Sequence, residues 1–131
     1  MKTIDSVKAF GLTAVLWHQG ESDKQSSYES YKSNLENLIQ NTQTAENPIP
    51  WLVAIASFSD DNISEEVRNA QAKVVNASDS VFFGPDTDTI GLELRNTGDK
   101  VHFNREDTFH AARLWVQSIE SFLNDQKASR Y

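Results

Sequence analysis

The sequence predicts an α/β domain built on a parallel sheet. Two observations predict it. Apolar runs of strand length alternate with segments whose apolar residues recur at helical spacing. The runs are apolar throughout rather than alternating, as strands covered on both faces require.

The elements follow in chain order. Ile4, Val7 and Phe10 sit at near-helical spacing ahead of Gly11, which reads as a helix end closed by a glycine C-cap. Residues 12–17 (LTAVLW) form the first apolar strand. Tyr28, Tyr31, Leu35, Leu38 and Ile39 share one face of a helix over 27–42. Pro48 and Pro50 stop any helix before the second strand, 51–57 (WLVAIAS). Ser64 caps a helix over 65–76, whose first turn carries Glu65 and Glu66 against the helix dipole. Residues 80–84 (SVFFG) make a short third strand. The stretch 85–103 is irregular, and irregular segments of that length in a small domain are usually functional. Asn104 opens a last helix over 105–124, with Ala112, Trp115, Val116, Ile119, Phe122 and Leu123 as its expected buried stripe. The tail, 125–131, is expected to fray.

The 131 residues suit one domain. An apolar share of 38% is modest but outside the range of disordered chains. The net charge of −7 argues against a nucleic-acid partner, because an acidic surface repels phosphate backbones. No cysteine is present, so disulfides and cysteine-based zinc sites are excluded. Met1 to Phe10 contain no long apolar stretch, and no signal peptide or membrane span is expected there. The compartment is not legible.

In an open parallel sheet, ligands bind beyond the carboxyl ends of the strands. Those ends lead into 18–23 (HQGESD), 57–63 (SFSDDNI) and 85–103. Within WHQGESD, Gln19 offers a neutral amide donor and Gly20 permits close backbone approach, a pairing suited to a developing oxyanion. The ordinary alternative is a turn closing a strand, with Glu21, Ser22 and Asp23 capping the next helix. In GDKVHFN, Asp99 precedes His102 by three residues, so its carboxylate can hold Nδ1 and leave Nε2 as a general base. Here the ordinary alternative is a surface Asp beside a His at a helix start, since D-x-x-H is short.

Taken together, these motifs resemble the sialate O-acetylesterase-like branch of the SGNH (GDSL-type) hydrolases, grouped with carbohydrate esterase family 6. The resemblance rests on WHQGESD (17–23), VRNAQ (67–71), GPDTD (84–88), and GDKVHFN with the AARLW helix (98–115), in family order. It implies the C-terminal part of a three-layer α/β/α sandwich. It implies acetyl-ester hydrolysis on a carbohydrate with no cofactor or metal. His102 would be the general base and Asp99 its orienting carboxylate, with Glu21 as an alternative partner. Gln19, Gly20 and Glu21 would shape the oxyanion site, and Arg68 and Gln71 would support it.

The family's serine lies in a G-[DQ]-S-N-like block after its first strand. None stands among the 16 residues before Trp17. The resemblance therefore leads us to expect a partial domain whose nucleophile is unassigned, and a homo-oligomer or a missing N-terminal segment as partner. Ser22, Ser57 and Ser59 are outside any G-x-S-x-G elbow. Ser22 is expected to hydrogen-bond or cap, and Ser57 is the better substitute because strand ends point at the site. His18 and His110 are expected at the surface, Asp86 and Asp88 as loop braces too few for a calcium site, and Trp51 and Trp115 in the core.

Overall fold

The computed structural model describes residues 11–43, 48–91, 95 and 101–128. The helix expected over 3–10 and the carboxylate of Asp99 lie outside these residues. Three strands, β1 (Val15–Trp17), β2 (Trp51–Ile55) and β3 (Val81–Asp86), form a parallel sheet in the order β1-β2-β3. Three α-helices accompany them among the described residues, α1 (Tyr28–Gln40), α2 (Glu65–Asn76) and α3 (Arg105–Ala128), with short 3-10 turns at Glu21–Asp23 and Thr87–Thr89. This is the α/β class the alternating pattern predicts.

Strand alternation divides the sheet into two faces. Val15, Trp17, Trp51, Val53 and Val81 point to one face and pack with Tyr31, Leu35 and Ile39 of α1 and Val67, Ala70 and Val74 of α2. Leu52 and Ala54 point the other way and are fully buried. On that face α3 covers β3, with the Phe82 and Phe122 rings edge to face at 4.9 Å. The result is three layers. Each fully buried Val or Leu in them contributes about 2 kcal/mol by leaving water.

Helix starts follow the side-chain caps. Ser27 accepts from the Ser30 N–H at the start of α1, and Ser64 accepts from the Val67 N–H at the start of α2. Asn104 accepts from the Asp107 N–H where α3 begins. The end of α3 differs from expectation: the helix runs through Ala128, because residues 124–128 contain neither Gly nor Pro to stop it.

The buried stripe of α3 also differs. Asp107, Ala111 and Phe122 are buried, with Leu114, Trp115, Ser118 and Ile119 half-buried, whereas Ala112, Val116 and Leu123 are exposed. The helix carries two apolar faces, and hydrophobicity alone does not say which one meets the sheet. Only the first lies over β3.

Candidate active site

The strand ends converge, and hydrogen bonds lock the loops that leave them. The turn after β1 passes so close to β2 that a Cβ on Gly20 would lie 1.8 Å from the Ala56 carbonyl oxygen. Only a residue without a side chain fits there. Gln71, fully buried on α2, joins the two loops. Its amide nitrogen donates to the backbone carbonyls of Gln19 (3.0 Å) and Ala56 (2.9 Å), and its side-chain oxygen accepts from the Ala56 N–H (3.0 Å). The Tyr31 hydroxyl donates to the Gln19 carbonyl at 2.7 Å. Burial pushes that phenol above its usual range, so it remains a neutral donor.

A second lock closes the ends of β2 and β3. The Asp88 carboxylate accepts from the backbone N–H groups of Ser57 (2.8 Å) and Phe58 (2.9 Å) and from the Ser57 hydroxyl (2.8 Å). Arg68 donates to Asp88 at 2.8 Å and grips both oxygens of Asp86 at 3.0 and 2.8 Å. The bond to Asp86, more than that to Asp88, holds the guanidinium above its usual range. Asp86 and Asp88 thus brace the loop. Arg68 and Gln71 fix the strand ends from behind, as supporting residues would.

The same contacts remove Ser57 from the candidates for nucleophile. Its hydroxyl donates to Asp88, accepts from the Ser64 N–H at 2.9 Å, and is wholly inaccessible. Ser59 is buried as well and spans an isolated bridge to Asn62.

A cleft of about 290 Å³ opens beyond the strand ends, lined by His18, Glu21, Ser22, Val101, His102 and Phe103. The structure therefore brings His102 together with a carboxylate, Glu21, and an exposed serine, Ser22. His18 is exposed, as expected, and also lines this cleft. Its Nε2 lies 2.8 Å from the Thr87 hydroxyl and 3.9 Å from Glu21, and its ring stacks on Phe103 and meets the edge of Trp115. Trp115 thus packs against His18 and is only half-buried, while Trp51 is core, its indole N–H bonded to Thr42 at 3.0 Å. His110 is exposed on α3.

Gln19 does not line this cleft. Its side-chain nitrogen donates to Asp23 and its side-chain oxygen accepts from Tyr31. It lines a separate hollow of about 370 Å³ against α1, which is larger but contains no imidazole. We take the smaller cleft as the site because the titratable groups converge there. The tight turn at Gly20 explains the split: His18, Glu21 and Ser22 are turned to one side and Gln19 to the other.

Sequence reasoning missed Arg95. It is fully buried, donates to the carbonyls of Ile90 (3.1 Å), Thr87 (2.8 Å) and Val101 (2.7 Å), and lies between the rings of Phe58 and Phe103 at 4.6 and 4.4 Å. Burial pushes it below the usual guanidinium range, against the opposing pull of Glu21 and Asp88. A lone arginine in an irregular stretch carries no periodicity or motif that would single it out.

The arrangement is a parallel α/β sheet with an imidazole, a carboxylate and a hydroxyl lining one cleft beyond its carboxyl edge. A sequence model of the family described as "Carbohydrate esterase, sialic acid-specific acetylesterase" matches residues 1–121. The chain belongs to that family. Searches of curated proteins and of solved structures gave no match.

Proposed function

We propose that this domain hydrolyses acetyl esters on a carbohydrate, with His102 as general base. The observation that supports this most directly is the shared cleft of His102 and Glu21 beyond the strand ends. Within this reading Glu21 orients the imidazole, alone or with Asp99. A carboxylate on Nδ1 holds the tautomer that leaves Nε2 basic and stabilises the imidazolium as it forms. Gly20 enters by permitting the turn that carries Glu21 and Ser22 to the cleft, and Gln19, whose amide is held by Asp23 outside the cleft, is left out of the oxyanion role. The acetyl carbonyl would be attacked by a serine that His102 deprotonates, giving an acyl-enzyme that water then cleaves. The G-[DQ]-S-N block that supplies this serine in relatives is not among the residues before Trp17. The identity of the attacking serine is what the following test decides.

The test compares this chain, alone, with a form preceded by a nucleophile block, using p-nitrophenyl acetate and an acetylated sugar. Alone, the chain should act little better than free imidazole, since covalent catalysis and most of the proximity advantage are missing. The extended form should turn over, and His102→Ala in it should lose at least about 100-fold in kcat, the usual share of a general base. Burst kinetics from the chain alone that vanish in Ser22→Ala would instead make Ser22 the nucleophile.

A further inference from the structure

We propose that Arg95 is the positioning residue for His102, and that it places the imidazole by clamping both of its neighbours in the chain. The guanidinium donates to the carbonyl of Val101, the residue before His102, and lies against the ring of Phe103, the residue after it. Its other two contacts reach Thr87 and Ile90, in the loop leaving β3, and its second face lies on Phe58, beyond β2. One planar cation thus ties the His102 segment to the ends of two strands. Phe103 in turn stacks on His18, so the clamp also sets one wall of the cleft.

The energetics favour a specific purpose over general stability. Arg95 is fully buried, and taking a guanidinium out of water costs free energy that the attraction of Glu21 and Asp88 only partly returns. Charge-assisted bonds to three carbonyls and two ring faces offset that cost. Lysine carries the same charge but not the fork, so it cannot reach three carbonyls at once. The requirement is for geometry as well as charge. The groups facing His102 across the cleft are Glu21, Ser22 and His18, and the clamp determines how the imidazole meets them.

The inference rests on His102 being the working imidazole, but its test needs no catalysis. The Cε1–H resonance of His102 is followed by NMR in the wild-type chain and in Arg95→Lys, Arg95→Met and Arg95→Ala. In the wild type it should be displaced from the free-histidine position by the ring of Phe103, which lines the same cleft. Arg95→Lys and Arg95→Met should each lose that displacement while the amide signals of α1, α2 and β2 persist. Guanidinium ion added to Arg95→Ala should restore it. An undisplaced wild-type resonance, unchanged His102 shifts in both the Lys and Met variants, or Arg95→Ala shifts indifferent to guanidinium would overturn the proposal. Should the variants fail to fold, the wild-type Arg95 side chain decides. Slow exchange of its Nε–H and Nη–H protons and a non-rotating guanidinium are expected, and rapid rotation with fast exchange would overturn the clamp. If the clamp holds and the extended enzyme is inactive, only the esterase reading fails.

Discussion

Gly20 has no room for even a methyl group, because the Ala56 carbonyl occupies the position its Cβ would take. Gly20→Ala must therefore push the turn after β1 away from β2, breaking the bonds that Gln71 makes across the gap. We expect a loss of about 3 kcal/mol, the upper end for overpacking, read as a lowered midpoint in thermal or urea unfolding. An unchanged midpoint would mean that the close approach is relieved at little cost. Gly20 illustrates what single residues reveal before folding. The need for close approach was legible in a glycine set in a strand-end turn, and so was Gln71, through its motif. The direction of Gln19 was not, since a motif names residues and not the side of the chain to which each points. Nor was Arg95, whose importance comes from rings and carbonyls distant from it in sequence.

The strand ends are held by carboxylates of unequal burial, and this separates two variants. The Asp88 side chain is 3% exposed and that of Asp86 is 36% exposed, although both pair with Arg68. Asp88→Ala strands a guanidinium bond, two backbone N–H groups and the Ser57 hydroxyl, and should cost about 3–5 kcal/mol, as removal of one buried charge partner does. Asp86→Ala breaks a pair that water can replace, and about 1 kcal/mol is expected. Chemical denaturation of the two variants side by side checks the order, and equal losses would contradict it. Helix starts were the most legible of the element boundaries, because Ser64 and Asn104 announce them by side-chain chemistry, whereas Ser27, read as the first helical residue, proves to be a cap. The orientation of α3 was the least legible. Phe109, Val116 and Leu123 are as apolar as the residues that meet the sheet, yet they are exposed. Periodicity locates a helix without choosing between two greasy faces.

For the whole molecule, the parallel class followed from uniformly apolar strands, and the sheet bears it out. The surroundings of the sheet are another matter. Among the described residues no strand pairs with the outer edge of β1, and an edge of that kind is a template for pairing with a second chain. Leu16, 49% exposed on that strand, and Val116, 53% exposed on α3, add apolar surface to the molecule. We therefore expect self-association through the β1 edge, seen as a dimer by light scattering at micromolar protein and weakened by Leu16→Lys. A monomer with a single cooperative unfolding transition would contradict it. The described residues include no helix long and apolar enough to cross a membrane.

The parallel register carries a consequence in time. Val15 pairs with Trp51 and Trp51 with Val81, so no two strands are joined by a tight hairpin. Each pairing must wait for a helix-length segment to close behind it, and that closure entropy has to be met before any ladder bond rewards it. During synthesis β1 leaves the ribosome with its partner still untranslated, and all of α1 must follow before Trp51 arrives. The segment that later carries Glu21 to the cleft thus passes its first moments without β2 beside it. Leu16 of that strand is still 49% exposed among the described residues, so part of the surface that waits during synthesis is also left uncovered by them afterwards.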